Sequence, residues 1–256
     1  MAEYVQLGPV RTWYDDHGDG EPLVLLHGGL VDARFFAPNL EALAQGFHVY
    51  TPERRGHGHT PDVEGPITYQ LMADDTIAFL DAVIGRPADL VGHSDGAVVA
   101  MLVAMQRPEL VRRLVMISGG FDKSGEAMPD FELDVDQVVE FLGQAYGEVS
   151  PDGEAHFPAV AAKIAEMARR EPRMAASELA RIPQRALVMF ADDDLMTLAH
   201  AVEMYDALPN AELAVVPGTS HFLTQEKPHL VNAIVLDFLS NEPVPTVAPI
   251  RRARPG

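Results

Sequence analysis

Cysteine is absent from the 256 residues. Disulfides, cysteine nucleophiles, zinc–thiolate sites and iron–sulfur clusters are therefore excluded. Lysine is scarce, with only Lys123, Lys163 and Lys227 present. Aspartate and glutamate number 38 against 19 lysines and arginines, a formal charge of −19. Such a surface repels phosphate backbones and anionic membranes. No basic run interleaved with aromatics offsets it, and the one basic cluster, Arg251-Arg252-Ala253-Arg254, stands in the tail. Neither nucleic acid nor membrane is expected as a partner. No apolar run reaches the roughly 18 residues that a bilayer span needs. The start, Met1-Ala2-Glu3-Tyr4-Val5, has no basic segment leading into an apolar stretch. That absence makes a cytoplasmic location the expectation.

The rest of the composition is ordinary. Hydrophobic residues make up 47% and charged residues 22%, which places the chain among globular proteins. Its length allows one domain with a three-layer core. Short apolar runs at 10–14, 22–26, 47–50, 88–92, 114–117, 186–190 and 212–216 read as strands. Segments 35–44, 68–83, 97–105, 198–208 and 229–239 read as helices. Apolar residues recurring every three to four positions carry that reading. Between 123 and 183 the alternation breaks, and only helical stretches near 138–142 and 160–169 are expected. The pattern predicts an α/β fold with a mostly parallel central sheet flanked by helices. Residues 1–122 and 184–242 form the core, 123–183 a short helical cap and 243–256 a loose tail. Right-handed crossovers would bring the strand C-termini to one edge.

Gly92-His93-Ser94-Asp95-Gly96 has the nucleophile-elbow form Gly-x-Ser-x-Gly, between a strand and an apolar helix. The turn needs small residues on both sides of a strained serine, and the helix start aims N–H groups at the same point. A serine hydroxyl needs a base to take its proton. Ten histidines compete for that role. His221 follows the last strand, at the sheet edge. His57 and His59, in Arg55-Gly56-His57-Gly58-His59, resemble a metal pair but lack a third ligand, so no metal is expected. A bare turn that braces neighbouring loops is the simpler account of them. His93 reads as a packed residue of the elbow. A carboxylate must orient the base, and Asp192-Asp193-Asp194 follows a strand. Spacing does not choose among these three acids.

Taken together and in order, five motifs resemble the alpha/beta-hydrolase fold superfamily, in its small-capped serine esterase and lactonase branch. They are Leu25-Leu26-His27-Gly28-Gly29, Arg55-Gly56-His57-Gly58, Gly92-His93-Ser94-Asp95-Gly96, Ala191-Asp192-Asp193-Asp194 and Gly218-Thr219-Ser220-His221-Phe222. The resemblance covers roughly Trp13 to Leu239. It implies Asp194 as the triad acid, Asp192 as a loop-structuring acid and His27 as a structural residue. It also implies an oxyanion hole from the N–H groups of Gly29 and Asp95, with Leu30 as a competitor for the first donor. The expected reaction is hydrolysis of a small to medium carboxylic ester or lactone through an acyl-enzyme, without a cofactor. Leu30, Phe141, Tyr146, Phe157 and Phe222 are candidates for binding the substrate. The inserted segment also carries Phe131, Leu142, Met167 and Met174, most of which should form its own small core.

Several alternatives stay open. Ser94 argues against the family members that use an aspartate nucleophile on epoxides or haloalkanes. Perhydrolases and carbon–carbon bond hydrolases share the same triad. The Ser-Asp-Gly form also resembles a branch that hydrolyses amino-acid esters, where the acid after the serine meets an ammonium. The simpler reading of the Asp95 side chain is a hydrogen bond that pins the elbow. A non-catalytic ligand-binding protein on a hydrolase scaffold is the alternative of a different class. Either a monomer or a homodimer fits the sequence.

Overall fold

The computed structural model describes residues 2–128, 133–243 and 246–249. Phe131 and the arginine cluster of the tail lie outside the described residues. Eight strands form one sheet: β1 (Glu3–Leu7), β2 (Val10–His17), β3 (Glu21–Leu26), β4 (Phe47–Pro52), β5 (Ala88–His93), β6 (Val111–Ile117), β7 (Arg185–Asp193) and β8 (Ala211–Ser220). Their order is β1-β2-β4-β3-β5-β6-β7-β8. Pairing is antiparallel from β1 through β2 to β4 and parallel from β4 to β8. The helices are α1 (Ala37–Ala44), α2 (Tyr69–Phe79), α3 (Asp95–Gln106), α4 (Val135–Gly147), α5 (Phe157–Arg170), α6 (Leu198–Ala207), α7 (Leu223–Glu226) and α8 (Pro228–Ser240). Among the described residues no helix is long and apolar enough to cross a membrane.

The apolar runs become parallel strands because both faces are covered. In β3, Val24 and Leu26 join one core cluster while Leu23 and Leu25 join another. In β7, Ala186, Val188 and Phe190 face the first cluster, and Leu187, Met189 and Ala191 the second. The period-two alternation therefore separates two cores rather than core from solvent. Helices α2, α3, α5 and α6 cover the first face, and α1, α7 and α8 the second. The α3 helix is apolar on all sides because it is sandwiched, with nine of its residues buried. Each large side chain fully buried there is worth about 1.5–3 kcal/mol.

Local chemistry sets several boundaries. Thr68 caps α2 by accepting from the Leu71 N–H. The helix expected over 68–83 is regular only to Phe79. It continues as a wider turn over Leu80–Ile84 and stops at Gly85, which takes a left-handed φ of 66°. The first turn of the helix expected at 35–44 is a tighter one, Ala33–Phe36, capped by Asp32. Strand β1 was not expected. It is a mostly exposed edge strand, so its burial pattern is weak.

Within 123–183, the helices α4 and α5 pack together, with the Tyr146 and Phe157 rings 4.7 Å apart. Asp134 caps α4 through the Asp136 and Gln137 N–H groups. The first stretch of the segment is held to a later one, the Lys123 N–H donating to the Pro172 carbonyl at 3.2 Å. It is also held to the loop after β7, where the Thr197 N–H donates to the Gly125 carbonyl. Asp62, in the loop after β4, ties α5 down by accepting from Lys163 Nζ at 2.7 and 2.8 Å. His156 reaches the same carboxylate at 2.9 Å.

Candidate active site

Strand β5 ends at His93, and α3 begins one residue after Ser94. Ser94 itself sits at φ 54°, a strained conformation for a non-glycine residue. A Cβ at position 92 would collide with the Gly96 carbonyl, and one at position 96 with the Leu26 carbonyl. That is why the elbow needs glycine at both places.

The ends of β7 and β8 complete the arrangement. His221 Nε2 lies 3.0 Å from Ser94 Oγ, and His221 Nδ1 lies 2.8 Å from Asp194 Oδ1. A carboxylate accepts, so Nδ1 carries the proton and Nε2 is free to take one from the serine. The acid left open by spacing is thus resolved in geometry. The Asp194 side chain is fully buried beside His221, while Asp192 and Asp193 are exposed. Asp192 instead accepts from the Thr219 N–H at 3.1 Å and shapes the loop before His221. Burial would raise the pKa of Asp194, but bonds from His221 and Ser118 outweigh it and hold the carboxyl below the usual range.

Ser118 was not among the expected residues. Its hydroxyl donates to Asp194 Oδ2 at 2.5 Å, and the Ala191 N–H donates to the same oxygen at 3.0 Å. Ser118 is buried, with φ 52°, directly after β6. The readable signal was a polar residue at the C-terminal end of a buried strand, on the edge where the other groups converge.

His93 is fully packed and holds the base from behind. Its Nε2 lies 2.7 Å from the His221 carbonyl, and its ring stacks on Phe35 at 4.5 Å. Burial first, then the nearby His221, pushes its pKa down to about 3. It is therefore neutral, and its Nε2–H donates to that carbonyl.

The N–H groups of Gly29, Leu30 and Asp95 have no protein acceptor among the described residues. That of Gly29 stands on the loop after β3, and that of Asp95 opens helix α3 directly after Ser94. The loop carrying Gly29 is braced from below by Arg54, whose Nη2 donates to the His27 and Gly28 carbonyls at 2.5 and 2.7 Å. The Asp95 carboxylate lies against Gly29, where any Cβ would collide with its Oδ2. Its Oδ1 accepts from the Tyr69 hydroxyl at 2.7 Å. Burial lowers the pKa of Arg54 to about 10, and the charge on Asp95 works against that fall. The Asp95 side chain thus accepts from a buried phenol, and its charge acts on the buried Arg54 guanidinium without a direct bond to it. Neither Arg54 nor Tyr69 could be paired with it from spacing, because they come from different elements.

Ser94, Asp95, Ser118 and His221 open onto a cavity of about 730 Å³ whose wall also draws on residues of the 123–183 stretch. The residues expected to bind the substrate are not in its wall. Leu30, Tyr146, Phe157 and Phe222 line a separate cavity on the other side of the Gly29 loop. Phe141 lines neither cavity. It is 82% exposed on the outer face of α4, which corrects its expected role. The wall around Ser94 is built instead by residues such as Tyr69, Val98, Lys123, Glu126 and Arg169.

The alpha/beta hydrolase family profile matches residues 23–234, and the chain belongs to this family. It is 28% identical over 157 residues to (E)-2-((N-methylformamido)methylene)succinate hydrolase from Acinetobacter baylyi, a match spanning 57% of this chain and 60% of that protein. A proposed carbamate hydrolase, RutD, from Azorhizobium caulinodans is 26% identical over 257 residues, covering 92% of this chain and 97% of its own. Among solved structures, Est816, described as an N-acyl homoserine lactone degrading enzyme, superposes with a TM-score of 0.76 at 27% identity. That match covers 92% of this chain and 100% of Est816. The enol-lactonase from Burkholderia xenovorans has a TM-score of 0.75 at 20% identity, covering 93% and 100%, and shares the fold. The chain is a hydrolase.

Proposed function

We propose that this hydrolase cleaves small to medium carboxylic esters or lactones through an acyl-enzyme on Ser94. The observation that carries the reading is the unbroken line Ser94–His221–Asp194 at 3.0 and 2.8 Å, facing an open cavity. His221 takes the serine proton as Oγ attacks the carbonyl carbon. The C=O electron pair moves onto oxygen, where the N–H groups of Gly29 and Asp95 receive it. Each such donor is worth about 2.7–4 kcal/mol of barrier. As the tetrahedral intermediate collapses, His221 gives its proton to the leaving alkoxide. In a lactone that alkoxide stays on the same molecule. A water then loses its proton to His221, attacks the acyl carbon and releases the acid and Ser94. Asp194 stays ionised throughout. The lactone-degrading neighbour Est816 supports this reading at the level of substrate class.

The test pairs labelling with turnover. A fluorophosphonate should attach to Ser94 and to no residue of the folded Ser94→Ala protein. That variant should lose at least about 10³-fold in kcat on p-nitrophenyl butyrate and on a simple lactone. Turnover retained in pure Ser94→Ala would sink the mechanism. Carbamate cleavage that exceeds ester and lactone cleavage would move the substrate class to the one named for RutD.

A further inference from the structure

The two N–H donors of the proposed mechanism differ in what fixes their direction. The Asp95 N–H opens helix α3, and the helix backbone orients it. The Gly29 N–H belongs to the peptide between Gly28 and Gly29, in the loop after β3. That peptide joins two residues without side chains, so it rotates more freely than any other in the loop. Turned over, it would present the Gly28 carbonyl in place of the Gly29 N–H, and a carbonyl repels an oxyanion.

The loop lies directly on the elbow. A Cβ at Gly28 would stand 3.4 Å from the Ser94 Cβ, and one at Gly29 would meet the Asp95 carboxylate. Leu30 follows at φ 63°, a strained conformation that persists only where the surroundings enforce it. Two side chains supply that enforcement. The Gly28 carbonyl accepts from Arg54 Nη2 at 2.7 Å, and His27 Nδ1 lies 2.8 Å from the same oxygen. A carbonyl only accepts, so Nδ1 carries the hydrogen. Burial depresses the pKa of His27, so the ring is neutral and its Nε2 accepts from the Arg54 backbone N–H at 3.3 Å. Nη2 and Nδ1 stand 3.0 Å apart, two donors converging on one oxygen. The peptide is trans, so its C=O and N–H point in opposite directions. Drawing the Gly28 oxygen toward Arg54 therefore turns the Gly29 N–H away from Arg54, where it has no protein acceptor among the described residues.

Packing alone does not explain Arg54. Its Nε and Nη1 have no hydrogen-bond partner among the described residues, and burial lowers its pKa to about 10. A buried cation with two of its three nitrogens unpaired is costly, and an apolar side chain would fill the space without that cost. We propose that Arg54 is a positioning residue of the oxyanion hole: with His27 it clamps the Gly28 carbonyl and so holds the Gly29 N–H on the Ser94 side. The proposal rests on the reading of Ser94 as the nucleophile and Gly29 as a donor.

Paraoxon and parathion test the clamp without the natural substrate. Each phosphorylates an active serine and releases p-nitrophenolate, and they differ only in a phosphoryl oxygen or sulfur. Sulfur is the weaker acceptor, so a lost N–H donor slows paraoxon more than parathion. In Arg54→Met, phosphorylation of Ser94 by paraoxon should slow about a hundredfold, and the paraoxon-to-parathion rate ratio should fall at least about tenfold. With p-nitrophenyl butyrate, kcat should fall and KM should stay close to wild type. His27→Phe removes one donor to the Gly28 oxygen and keeps the guanidinium, so its ratio should fall by about threefold. That variant carries the test if Arg54→Met does not fold. An unchanged ratio in the folded variants would overturn the proposal, because damage that merely loosens the fold slows both probes alike. If the ratio falls but the wild type turns over no ester or lactone, that substrate reading fails while the clamp stands.

Discussion

The proposed triad of Ser94, His221 and Asp194 depends on the orientation of its acid, and that orientation has a named cause. Asp194 receives three donors: His221 Nδ1, the Ser118 hydroxyl and the Ala191 N–H. Removing one should let the carboxylate rotate without emptying the site. A hydrogen bond to a charged group is worth about 1.5–3 kcal/mol. Ser118→Ala should therefore lower kcat by about tenfold to a hundredfold and leave KM nearly unchanged, since Ser118 holds the acid rather than the substrate. A kcat equal to wild type in steady-state assays would show that the other two donors suffice. At this scale the sequence was readable wherever backbone geometry alone dictates the residue. Gly92, Ser94 and Gly96 are of that kind, and so is a histidine closing the last strand. What stayed hidden depends on side chains meeting from separate elements. Asp95 is held by Tyr69 from α2, and its charge acts on Arg54 from the loop after β4, an arrangement that spacing does not encode.

The elements show where pattern reading succeeds and where it was not pressed far enough. Buried strands were legible because a parallel sheet covered on both faces needs unbroken apolar runs. The cavity wall was not, because it depends on how α4 and α5 settle over the core. One error was nonetheless avoidable. Val135, Val138, Val139, Leu142 and Tyr146 turn inward on α4, a helical stripe of three- and four-residue steps. Phe141 falls off that stripe, so its exposure was predictable. The same settling of helices gives the cavity its charge. Its wall carries the carboxylates of Asp95, Asp122, Glu126, Glu166 and Glu171 against Lys123 and Arg169. An excess of one sign in a cleft repels ligands of that sign. Diethyl adipate should be cleaved at least about tenfold faster in kcat/KM than monoethyl adipate at low ionic strength, with the gap narrowing at 0.5 M salt. Equal kcat/KM values for half-ester and diester would show that the paired charges cancel within the wall.

For the molecule as a whole, the same packing that builds the site makes it vulnerable to acid. His27, His57 and His93 are buried and neutral, and burial is the leading cause that depresses the pKa of each. The last two fall to about 3 from an ordinary 6.5. The unfolded chain takes up protons below 6.5 that the folded chain refuses. Stability is therefore intact above that pH and falls on acidification, by about 1.4 kcal/mol per histidine per pH unit. Two effects oppose this. Asp89 is fully buried on β5, and burial raises its pKa to about 6, although Arg112 and Arg113 stand nearby. Its contribution is present at low pH and is lost as the pH rises through 6; Glu53, raised by burial, and His59, raised by its bond to Glu53, act in the same sense, while His200, lowered by burial, sides with the three rings. The net charge of −19 also shrinks toward the isoelectric point near 4.7, which relieves surface repulsion. Salt screens that second effect and leaves the buried rings untouched. Asp194 and Asp62 are held below the ordinary carboxylate range, so their share disappears only as the pH falls through 3.8 and below. In 0.3 M salt, urea unfolding should therefore give a stability lower at pH 5.5 than at pH 7, with the two rings that fall to about 3 each contributing about 1 kcal/mol of the loss. His57→Phe should reduce the difference by about 1 kcal/mol, since the proton that this ring takes up on unfolding is then gone. Equal stability at the two pH values would mean that these rings gain their protons without unfolding, and that the neutral ring of His57 and the Nε2–H bond of His93 need other supports.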